Sequence, residues 1–186
     1  MGVMANIIRN ASRTSYQPLN IIVAPYDGLF ELSLRNNTPH TFYLLNEIRK
    51  KQSEIKPISR LLYLNTNINS WPISLDFDLI ICNDITDQIN LCSQISKILH
   101  IPLLIIHHII KPPFVKNEDI QILTDNYSED TIVSMSKEIN DSWCANHKIM
   151  PYYISVTEDD TKANCPSFIE AWNNLFNDLS QKPFLG

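Results

Sequence analysis

Polar side chains that could do chemistry directly follow two apolar segments of this sequence, FDLIIC and LLII. They are Asn83, Asp84 and Asp87 after the first segment, and His107 and His108 after the second. Histidine exchanges a proton near neutral pH and suits acid-base catalysis, whereas amide and carboxylate groups suit hydrogen bonding to a polar ligand. If both segments are strands of one parallel sheet, these residues lie at its carboxyl edge, where open α/β sheets bind ligands.

The first cluster also fits a purely structural role. Asp84 and Asp87 stand where a helix would begin, and Asp is favoured there because its carboxylate accepts hydrogen bonds from free backbone amides. The same helix N-terminus could instead hold an anionic ligand, since those amides and the helix dipole attract negative charge. Capping and ligand binding therefore both stay open for these residues.

The two histidines are neighbours at a predicted strand end. Successive side chains of a strand point to opposite faces, so we expect one of His107 and His108 to reach a ligand, and we do not expect the pair to hold a metal ion. A hydrogen-bonded histidine at the sheet edge is the structural alternative. Tyr26 and Asp27 occupy the matching place after the first predicted strand, where Pro-Tyr-Asp-Gly is also typical of a turn.

The pattern of apolar segments predicts the scaffold for these residues. Short β-branched runs alternate with amphipathic segments, which indicates an α/β fold with a Rossmann-like, mostly parallel sheet and helices on both faces. The predicted strands are 19–24, 41–45, 60–64, 77–82, 103–106, 131–134 and 148–154. The predicted helices are 26–35, a short surface helix at 46–56, 89–99, 117–124, 137–145 with Ser136 as its cap, and 167–180.

This pattern also predicts how the chain is organised. It divides into a loose N-terminal arm at 1–18, a Rossmann-like domain at 19–155, a loop at 156–166 and a closing helix with its tail at 167–186. The sequence contains three glycines, Gly2, Gly28 and Gly186, which are too far apart to form G-x-G-x-x-G or a P-loop. No cofactor that depends on such a loop is therefore predicted.

Composition excludes several classes of function. The 186 residues are 44% hydrophobic and 19% charged with a net charge of -5, which argues against non-specific nucleic-acid binding. No apolar run approaches the roughly 20 residues that span a bilayer, and the N-terminus carries no secretory signal pattern. The four cysteines form no C-x-x-C, which favours buried free thiols over a metal site. The sequence thus predicts a cytoplasmic protein without integral membrane contact.

The order of these segments resembles the N-terminal, acceptor-side domain of GT-B glycosyltransferases of the family 4 type, from Leu19 to about Ser155. The matching segments are NIIVAPYDGLFELSL, TPHTFYLL, FDLIICNDITD, IPLLIIHHIIKPP, IVSMSKEINDSW and IMPYYI. The later segment CPSFIEAWNNLFNDLSQKPF is similar to the last helix of such proteins, which crosses back onto the N-terminal domain. The second Rossmann domain, which holds most of their nucleotide-sugar site, has no counterpart in this sequence.

The resemblance implies roles for the candidate residues. His108 matches the histidine that lies near the sugar-transfer centre, and the Asn83 to Asp87 segment would line the same cleft. Ser134 and Ser136 match small polar residues that face the crevice between the two domains, and no metal is required. The predicted ligand-binding residues are Tyr26, Asp27, Asn83, Asp84, Asp87, His107, Ser134 and Ser136.

The leading hypothesis is therefore the acceptor-side half of a GT-B enzyme. It would bind a sugar acceptor or small-molecule ligand, with sugar transfer from a nucleotide-sugar only in a reduced form or with a donor-domain protein partner. The alternative is a non-catalytic Rossmann-like module that binds a small ligand, a protein or a second copy of itself. A third hypothesis is an unrelated flavodoxin-like enzyme, which a well-formed anion site at residues 83–87 would favour.

Overall fold

The computed structural model describes residues 16–26, 28–45, 59–72, 74–83, 86–127, 131–151 and 166–184. Within these ranges the strands are β1 Asn20–Ala24, β2 Thr41–Leu45, β3 Leu61–Leu64, β4 Leu79–Asn83, β5 Leu103–His107, β6 Ile132–Ser134 and β7 Lys148–Ile149. The helices are α1 Leu29–Asn37, α2 Thr86–Leu99, α3 Asn117–Asn126, α4 Lys137–Ser142 and α5 Pro166–Ser180, with one 3-10 turn at Ile68–Ser70. None of these helices is long and apolar enough to cross a membrane.

The described strands form one parallel sheet in the order β3-β2-β1-β4-β5-β6-β7. Ile22 of β1 lies opposite Tyr43 on one side and Ile80 on the other, so β1 and β4 are central neighbours. The chain leaves β1 toward β2 and β3, then returns to β4 and proceeds toward β7. In open α/β sheets such a reversal is the place where a ligand-binding crevice forms, here between the carboxyl ends of β1 and β4. The predicted Rossmann-like α/β architecture is confirmed.

Strand ends differ from the prediction where polar residues continue the ladder. Asn83 is the last residue of β4 and pairs with Ile106, and His107 is the last residue of β5 and pairs with Ser134. Backbone hydrogen bonds form regardless of side-chain polarity, so a polar residue can continue a strand. Hydropathy ends a predicted strand at the first polar residue and therefore left both residues out. The last described strand is shorter than predicted, because Pro151 has no N–H to donate. Residues 46–56, 1–15 and 152–165 lie outside the described residues.

Alternation along each strand divides the core into two layers. The layer on the face covered by α1 and α5, called the α5 face, includes Ile21, Val23, Phe42, Ile81, Phe30, Phe168, Trp172 and Phe176. The layer on the face covered by α2, called the α2 face, includes Ile22, Ala24, Tyr43, Ile80, Cys82, Ile89, Cys92 and Ile95. Both faces of the sheet are thus buried, as parallel strands require.

Helix α5 is fixed to the α5 face by aromatic side chains. Trp172 is fully buried, and its Nε1 donates to the carbonyl oxygen of Pro151 over 3.0 Å. Its ring contacts Phe30 of α1, with ring centroids 5.5 Å apart. The predicted closing helix therefore packs back onto the sheet. Removing a buried aromatic side chain of this kind typically costs about 3–5 kcal/mol.

A buried histidine joins α5 to the start of β2. His40 is fully buried, and its Nδ1 accepts a hydrogen bond from the backbone N–H of Leu19 over 3.1 Å, so the proton of the neutral ring lies on Nε2. Burial lowers the pKa of His40 from 6.5 to about 4. The nearby side chain of Asn173 in α5 raises this pKa, and the positive charge of Arg60 lowers it further.

We expect this histidine to make the fold sensitive to acid. Because its pKa is lower in the folded state, the unfolded chain binds the proton first, so stability is unaffected above about pH 7 and falls as the pH drops from 6.5 to about 4. A shift of this size amounts to a loss of about 3 kcal/mol. Urea unfolding at pH 7 and pH 4 should show a smaller loss for His40→Asn than for the wild type.

The matched control is the exposed His100, which has a positive φ of 54° that Asn also tolerates. His100→Asn should keep the full acid sensitivity of the wild type. An equal loss of stability in His40→Asn and wild type would contradict the assignment.

Candidate functional site

Three strand ends meet where the chain reverses across the sheet. Tyr26 follows β1, Asn83 ends β4 and His108 follows β5, and β4 is paired with both neighbours. These are residues that the sequence placed at the carboxyl edge of the sheet. The structure brings all three together through direct contacts.

Asn83 is the centre of these contacts. Its Nδ2 donates to the carbonyl oxygen of Ala24 and lies 3.4 Å from Oε1 of Glu31. Because both partners can only accept, the orientation of the amide is fixed and Oδ1 faces the other way. That oxygen lies 2.5 Å from Nε2 of His108. Nε2 must therefore donate this hydrogen bond and carry a proton.

Aromatic packing fixes the plane of the His108 ring. Tyr26 stacks on it with centroids 4.0 Å apart and an interplanar angle of 10°. Phe30 meets it edge-on, with centroids 4.7 Å apart and an angle of 78°. The residue is 8% exposed, so neighbouring groups cover most of its surface.

Glu31 supports this arrangement from the first turn of α1. Its side chain is fully buried, Oε2 accepts from the backbone N–H of Gly28 over 2.7 Å, and Oε1 accepts from that of Tyr26 over 2.5 Å. Gly28 has a φ of 83°, in the left-handed region that favours glycine. The amides and the positive end of the helix dipole compensate the buried carboxylate.

Sequence reasoning missed Glu31 as a site residue. The signal that could have revealed it is the three-residue spacing from Gly28, since Glu at the third helical position commonly reaches back to the residue before the helix. Its position also has a consequence for ligands. The carboxylate occupies the helix N-terminus after β1, where a phosphate group would otherwise bind.

His107 lies in a different environment from His108, as the alternation of strand side chains predicted. It stacks on Trp143 at a centroid distance of 4.1 Å and lies 5.7 Å from the ring of His147. The adjoining cavity of about 30 Å³ can hold about one water molecule. No group of three or more metal-ligating side chains occurs among the described residues.

The cysteine prediction needs one correction. Cys82 and Cys92 are buried free thiols, as expected, but Cys144 is exposed, and Cys165 lies outside the described residues. It follows α4 at a positive φ of 52°, in the turn that leads to β7. This turn directs the side chain of Cys144 outward. The prediction of a free thiol is therefore right for Cys144, and the prediction of burial is wrong.

The two predicted serines already have structural hydrogen bonds. The Oγ of the buried Ser134 donates to Oδ1 of Asn140 over 3.1 Å. Ser136 is the N-cap of α4, as predicted, and its Oγ accepts from the backbone N–H of Ile139 over 3.1 Å. These bonds hold the turn after β6, and ligand binding by either serine stays a prediction.

The predicted aspartates are not tested. Asp27 and Asp84 lie outside the described residues, and Asp87 belongs to α2 but its side chain is not described. Their roles as helix caps or ligand-binding groups therefore stay predictions. The contacts that define the site come from Tyr26, Asn83 and His108 together with Glu31.

Two larger cavities lie away from these contacts. One of about 510 Å³ borders β3 and includes Tyr43 and Trp71. The other, of about 460 Å³, lies near the amino ends of β5 and β6 and includes Lys97 and Leu103. Neither is lined by a residue that the sequence placed in the site.

Replacing Glu31 with Gln should show how much the fold depends on this carboxylate. The new amide NH2 would face one of the two backbone N–H donors, so we expect a loss of about 2–4 kcal/mol in unfolding free energy by urea titration. Glu138 is the matched control, because it is exposed in the first turn of α4. Glu138→Gln should change stability by less than about 0.5 kcal/mol, and an equal effect of the two substitutions would contradict the role of Glu31.

Function must be inferred from the contacts of the site. No protein-family model, curated protein or solved structure matches this chain. The geometry around Asn83, Glu31 and His108 is therefore the basis for assigning a function.

Proposed function

We propose that this protein is the acceptor-side half of a GT-B-type glycosyltransferase. It binds a sugar acceptor in the crevice between β1 and β4, and a donor-domain partner supplies the nucleotide-sugar. The observation that carries the proposal is the hydrogen-bonded series of His108, Asn83 and Glu31 at the reversal of strand order. This is the place where open α/β sheets bind their ligands.

Two features of the fold support this proposal. The sheet is parallel with its strand order reversed between β1 and β4, and α5 packs back onto the sheet as the resemblance implies for a closing helix. In addition, Glu31 fills the helix N-terminus next to β1, so this turn does not offer a phosphate site. Binding of the donor diphosphate by another domain is consistent with that arrangement.

The site can supply acid-base chemistry and orientation. A sugar hydroxyl would transfer its proton to Nδ1 of His108 as its oxygen bonds to the anomeric carbon and the nucleotide diphosphate leaves with the electron pair of the broken bond. Asn83 Oδ1 would hold the Nε2 proton, and the Glu31 carboxylate would stabilise the positive ring through Asn83. His108 is thus the candidate general base, and Asn83 and Glu31 are positioning residues.

Ligand-dependent thermal unfolding tests the proposal. Wild-type protein should be stabilised by at least one of a panel of monosaccharides and disaccharides, because a ligand at about 100 times its Kd adds roughly 2.7 kcal/mol. In a chain of this length that is roughly 5–10 °C in Tm. UDP-, GDP-, ADP- and CMP-sugars should add no more than their free sugars. A larger stabilisation by a nucleotide-sugar would contradict the acceptor-side assignment.

A pair of neighbouring histidines provides the matched variants. His108→Gln retains a donor for Asn83 Oδ1 but cannot exchange a proton, so it should remain folded and lose at least half of the saccharide shift. His107→Gln alters the ring that stacks on Trp143 and should keep the shift. Equal Tm shifts in both variants would contradict a role of His108 in saccharide binding.

A second candidate function has its own supporting observation. The loop after β5 exposes three large apolar side chains, with Ile109 40%, Ile110 52% and Phe114 76% accessible. The loop is held in place, since Trp143 Nε1 donates to the carbonyl oxygen of Ile109 and the backbone N–H of Lys111 donates to Ser142 Oγ. An ordered apolar surface at this edge suits a non-catalytic interaction module that binds a second copy of the chain.

Sedimentation velocity distinguishes this second candidate. If the loop joins two copies, wild-type protein should show a dimer that increases with concentration, and Ile110→Ser combined with Phe114→Ser should reduce it at least tenfold. Ile98→Ser is the control, because Ile98 is 61% exposed on α2 and lies outside the loop. A protein that stays monomeric at all concentrations, or a dimer equally weakened by the control, would exclude this role of the loop.

A further inference from the structure

One polar side chain in the crevice has a hydrogen-bonding atom without a partner. Gln88 lies in the first turn of α2 and is 2% exposed. Its Nε2 is 3.5 Å from the carbonyl oxygen of Pro25, which follows β1. Its Oε1 is buried and has no hydrogen-bond partner among the described residues.

Reversing the side-chain amide does not remove this deficit. The reversed amide would place Oε1 against the Pro25 carbonyl oxygen, and two acceptors repel each other. In either orientation one polar atom of Gln88 stays unsatisfied. A buried polar atom without a hydrogen bond lowers the stability of the fold. Native proteins therefore rarely keep one without a water molecule, an ion or a functional role.

The position of Gln88 connects it with the proposed site. Its side chain reaches from the start of α2, after β4, to the segment after β1, so it spans the crevice created by the strand reversal. Asn83, five residues earlier, ends β4 in the same crevice. A helix N-terminus also lies here, but an amide oxygen is an acceptor and attracts a different group from an anion.

We infer that Gln88 Oε1 accepts a hydrogen bond from a hydroxyl group of the ligand, and that the crevice therefore selects a neutral polyhydroxyl compound over a phosphate or carboxylate. This inference rests on the proposed function for the location of the ligand, and it specifies the class of compound that binds there.

Substituting Gln88 with Met provides a test with two independent readouts. Met has a similar length and no group that needs a donor, so the unliganded Gln88→Met protein should unfold at a Tm about 2–8 °C above wild type. The same variant should lose at least half of the Tm shift produced by D-glucose, D-mannose, N-acetylglucosamine or myo-inositol. A gain in stability combined with a loss of binding is typical of a group kept for function.

The control must separate binding from the general effect of sugars, which stabilise folded proteins by exclusion from their surface. Gln94→Met on the exposed side of α2 serves this purpose, since it should show the same exclusion effect and the full specific shift. Inorganic phosphate and glucose 6-phosphate, titrated at equal concentration and ionic strength, should shift the wild type less than glucose. A larger shift by inorganic phosphate would overturn the inferred ligand class.

The remaining outcomes distinguish this inference from the proposed function. If Gln88→Met is less stable than wild type and keeps the saccharide shift, Gln88 is structural and the inference is wrong. If Gln88→Met loses the shift while His108→Gln keeps it, the inference stands and the proposed role of His108 fails. If no compound of the panel shifts wild type and Gln94→Met more than it shifts Gln88→Met, the inference is overturned.

Discussion

The side-chain amide of Asn83 is the interaction on which the arrangement of the carboxyl edge depends. It joins the end of β1 through Ala24, the first turn of α1 through Glu31, and the residue after β5 through His108. The Ala24 carbonyl oxygen and the Glu31 carboxylate can only accept hydrogen bonds, so the amide has one satisfied orientation. That orientation in turn determines which nitrogen of His108 carries the proton. One buried amide therefore sets both the geometry and the protonation pattern of the site.

In the first βα turn, hydrogen bonds within the protein take the place that a bound phosphate has in nucleotide-binding domains. Rossmann-like domains that bind nucleotides leave the N-terminus of the first helix free for phosphate and use glycines to bring the backbone close. In this protein the carboxylate of Glu31 receives the backbone N–H groups of Tyr26 and Gly28. The turn thereby gains internal hydrogen bonds and loses its affinity for anions. This exchange explains how the same topology can exist with three glycines in the whole sequence.

Sequence predicted the sheet well because strands buried on both faces are nearly continuous apolar runs, as in β1 and β5. It also placed Asn83 and His108 at the correct edge, since strand ends are marked by the change to polar residues. It missed Glu31 and Gln88, whose partners at Tyr26 and Pro25 depend on how a helix start meets the end of β1. It could not show that Ser134 is already bonded to Asn140, because that pairing requires the turn between them to close.

The position of α5 in the chain affects how the protein can fold during synthesis. The α2 face of the sheet receives residues from β1 to β6 and from α2, all of which leave the ribosome before α5 does. The α5 face lacks Phe168, Trp172 and Phe176 until the last of the described helices emerges. A nascent chain with its described strands complete would thus carry one covered apolar surface and one that α1 covers only in part. Chaperones that bind exposed apolar segments would find a target on the α5 face until Trp172 docks there.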